Sequence, residues 1–527
     1  LWDRSTEKLS LARDRFGEKP IYYFNNGTHF IFGSELKALK KHPNFVSEIR
    51  RESVSAQLRF SYIPAPHTIY KSVFKLKPGC FLNINVRNGY FEVNNPLPYW
   101  SLTDSILSKS PQRLDITLDK ATQDLDKILK SVIHEQVISD VPIGAFLSGG
   151  VDSSLVVALM QKQASGPVRT FSIGFDEVGF DESIYAESVA KYLGTEHLTL
   201  KVSGKDAIDV IPKLATIYDE PFSDSSQIPT VLLAKLTKQH VTVALSGDGG
   251  DEIFGGYDRY SFINNAWGAF KYFPQQSRSF LKKMIMSIPP KKWNIIFQII
   301  RKMSLSKKLE GFSGDRIWKG ANLLDKENIL DFYVSILSHW QKTNGSDVVL
   351  GINDQASGLE LLGDLDHTGL KDFESLMIFD SLNYLPDDIL VKVDRACMAF
   401  SLENRAPFLD HRVASFAWSL PSEMKIHKGI SKVLLKNLLY NYVPRKIVDR
   451  PKMGFGVPLQ SWLRGPLREW GEHLLSESLL KKQGFLDANI VRKKWTEHQS
   501  GKLNWEYQLW DVLMFQSWLE SENHITK

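Results

Sequence analysis

Cysteine is almost missing from this chain: its 527 residues include two, Cys80 and Cys397. That excludes a disulfide framework and a Cys-based zinc site, and it fits a reducing, cytoplasmic compartment. Long apolar runs are missing as well. The most apolar short segment, Trp293 to Ile300, falls far short of the roughly 20 residues that cross a bilayer, so no membrane partner is expected. Charge of one sign is not in large excess either. A net charge of +5 on a chain this long is too mild to imply nucleic acid. There are no internal repeats and no low-complexity segments. What remains is 43% hydrophobic and 24% charged, ordinary for a globular protein with a full core. The length suits about two to four domains. Leu1 lies in what reads as a strand, so the expectation is a fragment or a processed product.

Residues 1–95 read as β-rich. Short strands are expected at Lys8–Arg13, Ile21–Phe24 and His29–Phe32, with turns at Phe16-Gly17 and Asn26-Gly27. A helix starts near Ser34, and a last strand pair spans Cys80 to Val93. Residues 96–117 read as a linker. From about Leu118 the pattern changes to alternating strands (142–147, 168–175, 197–202, 241–245) and helices (152–163, 181–193, 207–219, 226–239). That spacing predicts a parallel sheet covered by helices on both faces. Residues 260–350 read as a helical insertion with basic clusters (Lys282, Lys283, Lys291, Lys292, Arg301, Lys302, Lys307, Lys308). These read as a solvated face rather than a nucleic-acid surface. Residues 365–527 read as helical, and the apolar stripe from Trp505 to Trp518 as a packing helix.

The chain is organised around Val141 to Ser154. An apolar run ends in Ser148-Gly149-Gly150, and a helical pattern follows at once. Glycines allow a sharp turn and a close approach to a ligand. The N–H groups of the helix start, with Ser148, Ser153 and Ser154, then form a phosphate cradle. Asp152 lies inside this anion site and calls for a cation between it and the phosphates, so Mg²⁺ is expected. A plain Ser/Gly turn with Asp152 as a helix cap is the bland alternative. No Lys follows the glycines, so this is not the common P-loop. The form S-G-G-x-D-S-S resembles the pyrophosphate loop of ATP-pyrophosphatases, which cleave ATP between its α and β phosphates.

A second glycine-rich stretch, Ser246-Gly247-Asp248-Gly249-Gly250-Asp251-Glu252, also follows an apolar strand. Asp251 is expected as the second Mg²⁺ carboxylate, and Asp248 faces the reacting acyl group. A third stretch carries Asp387, Asp388, Lys392, Asp394 and Arg395, then Glu403 to Asp410. It suits a pocket for a zwitterionic amino acid, although ordinary ion pairs on buried helices give the same pattern. Asp387, Asp394 and Arg395 are the expected acceptor contacts. In a fourth stretch, Lys432 stands on an apolar helix, either snorkelling or stabilising charge on an α-phosphate.

Together these stretches resemble the glutamine-dependent (class B) asparagine synthetases. The resemblance runs from Leu1 to about Trp518 and includes Arg13 to Pro20, Ser34 to Leu39, Lys75 to Gly79, Thr170 to Phe175, Ser246 to Tyr257, Lys392 to Asp410 and Lys452 to Pro458. It implies an α/β fold: the later part of a β-rich N-terminal-nucleophile glutaminase domain (1–95), then a doubly wound ATP-pyrophosphatase domain with a helical C-terminal part (118–527). It also implies that Leu147, Ile173, Ser246 and Gly247 bracket the adenosine, that Ser148 to Ser154 hold the pyrophosphate, and that Asp152 and Asp251 carry Mg²⁺. Asp248 (often Glu in the family), Lys432 and Glu403 take catalytic places. The implied reaction adenylates L-aspartate to β-aspartyl-AMP, and ammonia then displaces AMP. The glutaminase nucleophile of the family, a cysteine at position one, is not in this sequence, so free ammonia is the expected nitrogen donor here and L-glutamine that of a longer form. A homodimer is the assembly to test. The rivals are an amidotransferase for another carboxylate, in a surface polysaccharide or secondary metabolite, and a non-catalytic scaffold, which would predict decayed phosphate loops.

Overall fold

The computed structural model describes the chain except for residues 88–89, 108–112, 176–180, 304–313, 341–347, 353–369, 451–455 and 526–527. Lys307, Lys308 and the stretch from Lys452 to Phe455 therefore lie outside the described residues.

The first hundred residues form short strands: β1 (Trp2–Asp3), β2 (Lys8–Ala12), β3 (Tyr22–Asn25), β4 (Phe30–Gly33), β5 (Val73–Lys75), β6 (Cys80–Arg87), β7 (Tyr90–Val93) and β8 (Leu97–Pro98). They make two antiparallel sheets. One runs β1-β2-β6-β7, with β8 also on β6; the other runs β4-β3-β5. Period-two alternation explains β6: Cys80, Leu82 and Ile84 turn inward to pack with Leu11, Tyr23 and Leu76, while Phe81 and Asn83 turn outward. The strand pair expected at Cys80 to Val93 is present. A helix not expected from the sequence, α1 (Arg51–Phe60), follows β4.

A third sheet contains β9 (Ile143–Phe146), β10 (Arg169–Phe175), β11 (Glu196–Val202), β12 (Val243–Leu245) and β13 (Glu403–Arg405). Its order is β11-β10-β9-β12-β13, with every neighbouring pair parallel. The chain leaves β9 for β10 and β11 on one side and returns to β12 and β13 on the other. The order therefore reverses between β9 and β12, where open α/β sheets bind ligands beyond their carboxyl ends. The crossovers are α2 (Val151–Gln163), α3 (Ser183–Leu193), α4 (Gly204–Tyr218) and α5 (Gln227–Lys238), close to the expected ranges. Leu155 to Met160 of α2 are all buried, as a helix apolar on every side requires.

Residues 258–337 are helical in their described parts, and Lys282 of the basic cluster pairs with Asp325 at 2.7 Å. The last helix, α6 (Glu506–Ile525), buries Trp510, Phe515 and Trp518. These join one core with Tyr22, Val54 and Val73 of the N-terminal strands and helix and with Phe171 of β10. Among the described residues, no helix is long and apolar enough to cross a membrane.

Candidate active site

Two loops meet at the switch point. After β9, the Leu147 N–H still pairs with the Phe171 carbonyl (2.9 Å), and the chain then turns through Ser148-Gly149-Gly150 into α2. Gly149 has φ +74°, and a Cβ there would sit 2.7 Å from the backbone of Tyr185. The loop can therefore lie on α3 only as glycine. Within it, the Ser148 and Ser153 hydroxyls are 3.0 Å apart, and Ser153 Oγ accepts the Ser148 N–H at 3.2 Å. The first turn of α2 has no side-chain cap, so its N–H groups open onto the loop. Ser154 is fully buried. Leu147 and Ile173 are buried at the carboxyl ends of β9 and β10.

After β12, the Ser246 N–H donates to the Arg405 carbonyl (2.9 Å), and the Ser246 hydroxyl donates to Asp248 Oδ2 (2.7 Å). A Cβ on Gly247 would come within 2.8 Å of Ser153 N, and one on Gly250 within 2.7 Å of Asp152 Cγ. The two glycine loops thus touch backbone to backbone, and side chains would push them apart.

Lys432 closes the site. It is 5% exposed and adopts φ +54° just before the helix Val433–Leu439. Its ammonium pairs with Asp152, and it lies 2.6 Å from Asp251 Oδ1. Gly256 makes room for this, because a Cβ there would overlap Asp251 and Lys432 Cε at 2.0 Å. Burial works against the Lys432 charge, but Asp152 and Asp251 overcome it and hold the ammonium protonated well above its ordinary range. Burial also pushes the Asp248 carboxyl up. Asp152 and Asp251 add to that rise, while the Ser246 hydroxyl and Lys392 oppose it.

Two carboxylates beside a phosphate cradle are the hard oxygen donors that Mg²⁺ takes. Among the described residues, no group of three or more His, Cys, Asp or Glu could hold a metal. Asp152 and Asp251 are the residues that would hold such a cation beside bound phosphates.

The other residues expected from sequence divide in two. Asp387 accepts the Ala65 N–H (2.7 Å), Asp394 pairs with Lys19 (3.0 Å), and Arg395 donates to the Ser34 carbonyl (2.6 Å) and faces Glu35 (3.3 Å). All three are engaged by residues 34–65 or by Lys19, away from the phosphate loops. Asp388 and Lys392, four positions apart, share a helical face, and that face supplies the charge near Asp248: Lys392 lies 2.6 Å from Asp224 and 4.0 Å from Asp388. Burial alone would raise both carboxyls. Lys392 instead brings Asp224 down to about 2, whereas burial and the Asp224 charge push Asp388 well up. Of the two, Asp388 is the carboxyl pushed toward its neutral form.

Glu403 is a correction. It opens β13 opposite Val243, the first residue of β12, so it stands at the amino end of the sheet while the loops lie beyond the carboxyl end. It is exposed and accepts from Arg405 Nε at 2.7 Å.

Sequence reasoning missed Asp224, whose strong pairing with Lys392 comes from 168 positions away. It also missed Arg450, which donates to the Ser148 carbonyl (3.1 Å) and lies over the Tyr185 ring. The spacing of Asp388 and Lys392, four apart in an apolar helix, was the one local signal for the buried pair.

Residues 124–520 match the asparagine synthase family, and residues 1–100 match the glutamine amidotransferase domain. Asparagine synthetase [glutamine-hydrolyzing] 1 of Bacillus subtilis is 30% identical over 98% of this chain and 76% of its own length. A putative asparagine synthetase [glutamine-hydrolyzing] 2 of Methanocaldococcus jannaschii is 33% identical over 76% of this chain and 71% of its own. A Gibberella zeae protein named amidase chry2 is 23% identical over 92% of this chain and 73% of its own. With the phosphate-loop architecture matched along three quarters of its length, the chain belongs to the asparagine synthase family.

Proposed function

We propose that the chain converts L-aspartate to L-asparagine with ATP and ammonia, through β-aspartyl-AMP. Membership of the family makes it an ATP-dependent ligase that amidates a carboxylate; aspartate as the acceptor is the proposal. The observation that carries it is the convergence of Lys432, Asp152 and Asp251 where the loops after β9 and β12 touch.

A carboxylate is a poor acyl donor until its oxygen becomes a good leaving group. Attack of that oxygen on the α-phosphate supplies one. Ser148 to Ser154 and the start of α2 cradle the pyrophosphate as it leaves. Lys432 neutralises charge that grows on the phosphate. Asp152 and Asp251 would hold Mg²⁺, which when bound supplies further neutralisation of the phosphates. Ser246, Gly247, Leu147 and Ile173 flank the adenosine, and Asp248 lies beside the acyl group. Asp224, Asp388 and Lys392 form the polar wall next to Asp248. In this reading, residues 1–95 belong to a glutaminase domain, 96–117 are a linker and 118–527 the synthetase, with glutamine or ammonia as the nitrogen source.

The test is AMP release from Mg-ATP and ammonia across a panel of carboxylates. Aspartate-dependent AMP formed one-to-one with asparagine supports the reading. Turnover with another acid, and none with aspartate, replaces it with an amidotransferase for that acid. The match to a protein named an amidase favours this second reading.

A further inference from the structure

The helical insertion turns apolar side chains outward as well as inward. Two of its helices, Gln275–Ser287 and Pro290–Met303, pack on a third, Gly314–Ala321. The inner face of the first is held by Arg278, which donates to the Lys326 carbonyl (2.8 Å), and by Lys282, paired with Asp325 (2.7 Å). Phe280 and Met284 lie on the opposite side of that helix and are 65% and 53% exposed. The second helix is anchored through Trp293. Its indole donates to the Ile285 carbonyl (3.1 Å), and its ring stacks on buried Phe297 at 5.8 Å. Ile295 and Ile299 stand on the far side, 55% and 52% exposed, with the exposed Lys292 on the same stripe. Tyr272 and Phe273, in the link before the first helix, are exposed too.

Single exposed apolar residues are ordinary, but two successive helices that each present an i, i+4 apolar pair to solvent mark a contact surface. The charge around it identifies what that surface meets. From Arg259 to Lys308 the sequence holds eleven basic residues and no acidic one, although the whole chain carries only +5. The exposed Lys283 and Lys292 border the apolar pairs. Lysines beside aliphatic and aromatic side chains suit a bilayer interface. The apolar groups enter the acyl boundary, while the ammonium groups stay among anionic headgroups. A second copy of the same face would bring like charges together, which opposes a two-fold contact. Nucleic acid would engage the lysines through its phosphates and leave the apolar pairs in water.

We propose that the outer face of this insertion, with Phe280, Met284, Ile295 and Ile299 flanked by Lys283 and Lys292, docks the protein on an anionic phospholipid bilayer. The helices lie on the surface and do not cross it. The lack of a spanning helix among the described residues excludes crossing, not surface docking, because interfacial helices act through one apolar face and its flanking charge. Docking is separate from the ligase chemistry: these side chains are on other elements than the loops after β9 and β12 and make no part of the ATP site.

The test is flotation of the whole chain with two kinds of vesicle, one of phosphatidylcholine alone and one of phosphatidylcholine and phosphatidylglycerol at about three to one. Wild type should float with the anionic vesicles and not with the zwitterionic ones, and added salt should lower the bound fraction as headgroup charge is screened. The double variant Lys283→Gln/Lys292→Gln should bind about 25-fold more weakly, at about fivefold for each lysine near the surface. Ile295→Ser/Ile299→Ser should bind at least about tenfold more weakly with its charge unchanged. Both variants alter exposed side chains, so their melting temperatures and carboxylate-dependent ATP–pyrophosphate exchange should match wild type, which separates lost docking from lost folding. If the serine variant melts lower, the lysine variant decides alone. Failure of wild type to float with anionic vesicles overturns the proposal, and so does binding by a folded variant equal to that of wild type. Retention on polyuridylic acid without vesicle binding overturns it in favour of nucleic acid. A dimer in sedimentation that Ile295→Ser/Ile299→Ser abolishes, again without vesicle binding, overturns it in favour of a second copy.

Discussion

Lys432 Nζ lies 2.6 Å from Asp251 Oδ1 while also pairing with Asp152, so one buried ammonium ties the loop after β9 to the loop after β12. The two carboxylates come from strands on opposite sides of the switch point. Without a cation between them they would repel across a low-dielectric gap.

Replacing that cation tests both of its roles. Lys432→Ala should lower AMP formation by on the order of 10²–10³-fold, because charge on the α-phosphate loses its fixed partner. ATP should still bind through Ser148 to Ser154. The variant should also gain more thermal stability from added Mg²⁺ than wild type does, because Asp152 and Asp251 are left uncompensated. Calorimetric titration with ATP, AMP assays and melting curves with and without Mg²⁺ check all three outcomes.

The contact between the loops is backbone on backbone, and Gly247 is where it is tightest. Gly247→Ala would place a methyl 2.8 Å from Ser153 N and 2.9 Å from Asp152 Cβ. Both neighbours are part of a fixed helix start and cannot yield cheaply. A loss of about 1–3 kcal/mol in stability is expected from overpacking, with a raised KM for ATP as the cradle opens. Urea unfolding and initial rates against ATP measure the two effects. Unchanged values for both would mean that the loops separate without cost.

How far this site could be read in advance follows from the reach of each signal. The strands before both glycine loops are apolar runs next to sharp turns, and β9, β10, β11 and β12 fall close to their expected ranges. β13 has three polar residues, Glu403, Asn404 and Arg405, and no alternation to announce it. Without that strand, the sequence gives no sign that Glu403 stands at the amino end of the sheet. The acceptor stretch has a related difficulty. Charges on one helical stretch are read together there, although Asp387, Asp394 and Arg395 pair with residues 19–65. The π-turn at Leu385–Ile389, which precedes Lys392, has no sequence signature of its own. Asp224 is brought to Lys392 by tertiary packing that no local pattern encodes.

His498 offers a pH test remote from the chemistry. It is fully buried, and burial, reinforced by Arg464, lowers its imidazole from 6.5 to about 4. A depressed folded value means that the unfolded chain takes up a proton which the folded one refuses. Its contribution to stability is thus complete above a pH of about 6.5 and is lost as pH falls toward about 4. Denaturation midpoints between these pH values should therefore decline more steeply in wild type than in His498→Gln. Parallel declines would mean that His498 titrates alike in both states.

The Asp224–Lys392–Asp388 group predicts an asymmetry between two similar substitutions. Asp388 is the carboxyl pushed toward its neutral form, so Asp388→Asn should change little in charge and cost less than about 1.5 kcal/mol, as volume-conserving exchanges do. Asp224 is the ionised member and holds Lys392 at 2.6 Å. Asp224→Asn removes the counter-ion of a buried ammonium and should cost about 3–5 kcal/mol. Since Lys392 also offsets the negative charge at Asp248, freeing it should disturb the acceptor side of the reaction more than the ATP side. The expected pattern is a KM for the carboxylate acceptor raised at least severalfold in Asp224→Asn, a smaller change in KM for ATP, and near-normal values for both in Asp388→Asn. Equal costs for the two variants would mean that the charge is shared evenly between them, and a larger cost for Asp388→Asn would reverse the assignment of charge along this wall.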